Sequence, residues 1–121
     1  MQDLVGLPYA FGGTDPATGV DCLWAVRQAL QRIFPDLTPE ECPLEHEAGL
    51  ALARGCPRPW KLVSWPSKLG DVLFGEHPEP WVAVLVDVEG RNVFTAPPTR
   101  GTAVLNLRAL GPHKAILRRQ R

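Results

Sequence analysis

Histidine, cysteine and tyrosine are scarce in this chain of 121 residues, which holds three, three and one of them, and its 13 basic and 13 acidic side chains cancel. Three cysteines, Cys22, Cys42 and Cys56, are an odd number without the paired spacing of a zinc site, so neither a disulfide framework nor a metal or other cofactor is indicated. Balanced charge argues against nucleic acid as a general electrostatic partner; Arg118, Arg119 and Arg121 form a short basic tail of the solvated kind. No stretch approaches the roughly 18 apolar residues of a membrane span, which excludes membrane insertion. No apolar run follows a basic segment at the N-terminus, so synthesis in the cytoplasm without a signal peptide is expected.

What is present suits one compact unit, expected to span residues 1–121, with enough apolar side chains for one core. Leu23, Val26, Leu30 and Ile33 recur at helical spacing with Arg27, Gln28, Gln31 and Arg32 between them, which predicts an amphipathic helix. Asp21 is its N-cap, and Pro35 ends it near Phe34. Thr38-Pro39-Glu40-Glu41 is a capping box, and Leu44 to Arg54 reads as a second helix stopped by Gly55. Residues 55 to 69, with Pro57, Pro59, Trp60, Trp65 and Pro66, suit an irregular segment wrapped over the core. Asp71–Phe74, Trp81–Val88, Asn92–Ala96, Thr102–Leu107 and Lys114–Leu117 then read as strands, with Glu89-Gly90 as a tight hairpin turn. N-terminal helices packed on a C-terminal antiparallel β-sheet make an α+β fold.

The chemistry centres on Cys22, the first residue of the predicted helix. Unpaired N–H groups and the positive end of the helix dipole favour a thiolate there, so a lowered thiol pKa is expected. A cysteine at the start of a core helix is also a common packing element.

Leu7-Pro8-Tyr9, Gly12-Gly13, Gly19 and Asp21-Cys22-Leu23 resemble the N-terminal signature of the NlpC family of papain-like cell-wall cysteine peptidases, G-x-P-Y, a glycine pair and G-x-D-C before a helix. Leu69 to Phe74 is similar to the family's G-D-hydrophobic strand entry, and Trp81 to Leu85 falls where the family has His-Val-Gly-Ile-Tyr. Phe94-Thr95-Ala96 and Gly101 to Leu107 match the segments that follow, so the resemblance covers nearly the whole chain. Asp-Cys-Leu resembles the branch encoded among bacteriophage tail genes. The resemblance implies a papain-like NlpC-type fold with Cys22 as nucleophile and Tyr9 bordering it.

That chemistry needs an imidazole to take the thiol proton and a third group to orient the ring. The resemblance puts Trp81 at the histidine position and Thr95 at the orienting position. Indole has an N–H donor and no lone pair able to take a proton near neutral pH. His77, in Glu76-His77-Pro78-Glu79-Pro80, is the alternative base, or else a solvated loop residue; His46 and His113 read as surface residues. Trp24 and Trp81 are expected to fill the former cleft, and Trp60 and Trp65, beside prolines, to offer an aromatic strip for a partner, unless they are core. Asp21, Trp24, Trp60 and Trp65 are thus the candidate binding residues. One expected function is an inactive structural or assembly protein of a phage tail tip, made in the host cytoplasm, carried in the virion tail and docked on hub or baseplate proteins. The alternative is an active cysteine peptidase or amidase that cuts peptidoglycan stem peptides.

Overall fold

The computed structural model describes residues 2–38, 41–42, 60–76 and 79–120. In chain order the elements are β1 (Thr14–Asp15), β2 (Gly19–Val20), α1 (Cys22–Ile33), β3 (Trp60–Val63), β4 (Val72–Gly75), β5 (Trp81–Asp87), β6 (Asn92–Thr95), β7 (Ala103–Asn106) and β8 (His113–Arg119), with short 3-10 turns at Gln2–Leu4 and Leu107–Ala109. β1 and β2 form a small hairpin; the other six strands make an antiparallel sheet in the order β3-β8-β4-β5-β6-β7.

The helix begins and ends as the local sequence dictates. The Asp21 carboxylate accepts from the Trp24 N–H at 2.8 Å, satisfying one of the orphan donors of the first turn. At the other end the Phe34 N–H still donates to the Leu30 carbonyl, at 2.8 Å, before Pro35 breaks the pattern. The buried stripe is Ala25, Val26, Ala29 and Leu30, whereas the expected Leu23 and Ile33 are half-buried at its margins. Two alanines in the stripe let the helix lie close to the sheet. It packs against Val72, Phe74, Val82, Val84, Phe94 and Leu117 in one core cluster.

Leu73, Ala83, Leu85, Val93 and Ile116 point the other way and form a second cluster, with Trp81, Leu107 and Leu110 against it. Burial on both faces explains why β4 and β5 read as continuous apolar runs rather than alternating ones. Each fully buried aliphatic side chain there contributes on the order of 1.5–3 kcal/mol.

The structure corrects several expectations. Residues 60–63, taken as irregular, are an edge strand paired with β8 from Trp60↔Arg119 to Val63↔Ile116. β8 itself runs from His113 to Arg119 because it has a partner on each side. The β1–β2 hairpin was not anticipated. The turn after β5 is not a two-residue Glu89-Gly90 turn: the left-handed residue is Arg91, at φ 57°, and the register shifts between Leu85 and Asp87. Asp87 organises this turn, accepting from the Gly90 N–H at 3.0 Å and from the Asn92 amide at 2.8 Å. A Cβ at Gly90 would collide with that carboxylate, which is the reason for glycine there.

Part of the capping box is visible: the Thr38 N–H and hydroxyl both donate to Glu41 Oε1 at 2.9 Å. The second predicted helix, Leu44 to Arg54, lies outside the described residues, and so do His46, Cys56, Pro57 and Pro59. Among the described residues, no helix is long and apolar enough to cross a membrane.

Candidate functional site

The sequence around Cys22 folds as a set of short backbone ties. Val20 N–H donates to the Pro8 carbonyl at 2.8 Å and Ala10 N–H to the Val20 carbonyl at 3.1 Å, which pins Tyr9 beside β2. Gly13 N–H donates to Ala10, and the Gly13 carbonyl receives the Asp21 N–H at 3.1 Å, so the glycine pair sets the N-cap in place. Leu7 and Thr102 are bonded through backbone and side chain, at 2.9 and 2.8 Å, and a Cβ at Gly101 would strike the Leu7 carbonyl. The Gly-Leu-Pro-Tyr segment is thereby fastened to the entry of β7.

These ties shape a groove of about 360 Å³ at the end of the sheet where β5 begins and β6 ends. Cys22, Tyr9, Trp81 and Thr95 all line it, as do Phe11, Glu79, Pro80, Pro97, Leu105 and Leu110. Four residues singled out from the sequence therefore meet at one place. Their chemistry differs from the expectation in three respects.

Cys22 is half-buried, and its thiol pKa is raised, not lowered. Burial is the largest cause and the Asp21 carboxylate adds to it; hydrogen bonds from the Val82, Cys22 and Leu23 backbone N–H groups pull the other way and do not win. Helix position alone predicted the opposite sign because it counts the donors and not the desolvation. The Tyr9 phenol is also raised, first by burial and then by Cys22, Glu79 and Asp21.

Thr95 is buried, and its hydroxyl donates to the Val82 carbonyl at 2.7 Å. That hydrogen bond fixes the side chain, and the hydroxyl oxygen keeps its lone pairs for accepting. Trp81 does not plug the groove: its indole lies over Gly75 on the neighbouring strand, against the second core cluster, and forms a wall. A Cβ on residue 75 would run into the ring. Trp24 packs against the α1 side of the core and does not line the groove.

His77 lies outside the described residues, and the sole histidine among them is His113. His113 is exposed at the start of β8, in register with Gly75, which in turn faces Trp81 across β4 and β5. Among the described residues, no imidazole figures among the groups acting on the Cys22 thiol. Cys42 is buried, its thiol donating to the Thr38 carbonyl at 3.6 Å. Among the described residues no group of three or more His, Cys, Asp or Glu stands together in a way that could hold a metal ion.

The two tryptophans of the supposed docking strip play opposite parts. Trp60 is 2% exposed, with its indole N–H donating to the Glu41 carbonyl at 2.6 Å, so it belongs to the core and cannot meet a partner. Trp65 is 60% exposed and carries the Arg91 guanidinium 4.8 Å from its ring centre. Sequence reasoning assigned nothing to Phe11 or Glu79. The available signal was that both stand within two residues of positions it did single out, Tyr9 and Trp81.

No protein-family model and no curated protein matches the sequence. Among solved structures, the chain is similar to the NlpC/p60 domain of the peptidoglycan hydrolase SagA, with a TM-score of 0.59 and 22% identity over 97% of this chain and 91% of that one. At that identity the likeness establishes architecture: one helix whose first residue is a cysteine, laid on a six-stranded antiparallel sheet, is an NlpC/p60-type fold.

Proposed function

We propose that this protein is a cell-wall-peptidase-type fold working as a binding component, in which Cys22 keeps the place of a nucleophile without the relay that would activate it. The observation that carries the reading is the residue that lines the groove with Cys22 where the resemblance puts a histidine: Trp81, whose indole has no lone pair to take the thiol proton. A raised thiol pKa agrees, since an ion pair with imidazole would hold it down. The finer reading is a structural or assembly protein of a phage-like tail tip that docks on hub or baseplate proteins; it is supported by the Asp21-Cys22-Leu23 resemblance.

The second reading, an active peptidase acting on peptidoglycan stem peptides, is kept by one observation: His77 stands two positions before Glu79, which lines the groove. The test is incubation of the protein and its Cys22→Ala and His77→Ala variants with purified peptidoglycan and stem peptides, followed by mass spectrometry. The proposal expects no cleavage product in any of them. Product that requires both Cys22 and His77 would establish the peptidase instead.

A further inference from the structure

The groove beside Cys22 is apolar on most of its walls and charged on one. Phe11, Pro80, Trp81, Pro97 and Leu110 supply the apolar surface, and Phe11, 94% exposed, stands uncovered at the rim. Of the described residues that line it, Glu79 alone is charged. A second carboxylate, Asp21, lies close behind, and both act on the Tyr9 phenol in the direction expected of a negative potential. Among the described residues, no lysine or arginine is among the groups that shift Tyr9 or Cys22.

This charge pattern selects among occupants. A nucleic acid or an anionic lipid surface needs basic residues to meet its phosphates, and an acidic peptide would face repulsion. A groove of this size is at the small end of ligand sites, about 300–1,000 Å³, and aromatic walls suit prolyl and aliphatic side chains in extended chain. A cation that enters the groove gains the Glu79 carboxylate. Prolines on both flanks and the ties that hold Tyr9 make the groove preformed, which lowers the ordering cost of binding.

We propose that the groove is the docking site for an extended, apolar, proline-bearing peptide segment with one lysine or arginine, whose cation meets Glu79 while its apolar side chains lie against Phe11 and Trp81. The inference rests on the reading above in that the groove binds such a segment without cutting it.

The experiment uses the whole protein and synthetic peptides that share one proline- and leucine-rich sequence and differ at a single position, Lys, Gln or Glu. Titration calorimetry gives affinity, and mass spectrometry of the recovered peptides reports cleavage. The Lys peptide is expected to bind about two- to fivefold tighter than the Gln peptide at low salt, as exposed ion pairs do. That margin shrinks as salt rises, and the Glu peptide binds weakest. Glu79→Gln is expected to erase the difference between Lys and Gln peptides. Phe11→Ala, at an exposed position that the fold tolerates, weakens all three by about fivefold or more. Equal or tighter binding of the Glu peptide, no binding of any peptide at millimolar concentration, or insensitivity to both variants would overturn the proposal. Cleavage with the Lys > Gln > Glu order intact would instead overturn the non-hydrolytic reading and leave the ligand class standing.

Discussion

At the scale of single residues, the sulfur of Cys22 is governed by two opposed influences. The N–H groups around it stabilise a thiolate, and burial with Asp21 opposes them and prevails. Asp21 is therefore both cap and brake. Asp21→Asn keeps a good capping acceptor and removes the charge, so Cys22 should alkylate faster at neutral pH while buried Cys42 stays unchanged; peptide mapping after iodoacetamide measures both. A slower or unaltered Cys22 in that variant would remove Asp21 from the account. The raised thiol also fixes the sign of a pH dependence. The folded pKa lies above the unfolded one, about 8.5, so its contribution to stability is complete below that value and is lost as pH rises through the folded pKa. Tyr9, raised as well, adds a loss of the same sign at higher pH. Urea midpoints should fall on the alkaline side in the parent protein and fall less in Cys22→Ser. Equal slopes would contradict the assignment.

At the scale of elements, the edge of the sheet is held by side chains far apart in sequence. Asp71 is buried and accepts from Arg118 at 2.9 and 2.7 Å and from the Ser67 and Lys68 N–H groups at 2.9 and 3.0 Å. It thus ties the segment before β4 to β8. Asp71→Ala leaves the guanidinium and two N–H groups without that acceptor and should cost about 2–4 kcal/mol in chemical denaturation. A loss below about 0.5 kcal/mol would mark the pair as a solvated surface contact. The two tryptophans of this region separate just as clearly. Trp60→Ala empties a core position and should cost about 3–5 kcal/mol, whereas Trp65→Ala gives up an exposed stack on Arg91 and should cost less than about 1 kcal/mol. Similar losses for the two would refute their assignment to core and surface.

The same elements show what could be read without a structure. Asp21, Cys22 and the stop at Phe34 were legible because capping and periodicity are local, and β4, β5 and β6 because short apolar runs lie between turn residues. β3 was not legible: its partner β8 begins fifty residues later, and neighbouring prolines mask the pattern. β1 and β2 are two residues each, too short for any period to register. The direction of the Trp81 ring depends on Gly75 of the adjacent strand, and the sign of the Cys22 shift depends on burial. Both are tertiary quantities that residue types at one position do not carry.

At the scale of the whole molecule, the groove is built where separate stretches converge: the segment around Tyr9 and Phe11, the start of α1, the start of β5, the turn after β6, Leu105 of β7 and the loop before β8. The fold brings to one place every residue that the resemblance marked for catalysis and that the structure describes, Cys22, Tyr9, Trp81 and Thr95. Two of them also do structural work, the Trp81 indole over Gly75 and the Thr95 hydroxyl on the Val82 carbonyl. On the reading proposed above, the NlpC/p60-type architecture serves through its groove and not through Cys22 chemistry.

The most direct measurement of that claim is the rate of Cys22 alkylation from pH 5 to pH 10, compared between the parent protein and His77→Ala. A thiol with no imidazole partner reacts slowly below neutrality, rises in one step on the alkaline side of an ordinary cysteine, and follows the same curve in both proteins. A reactive thiolate that persists below about pH 6 in the parent and disappears in His77→Ala would reveal a Cys–His ion pair and contradict the account.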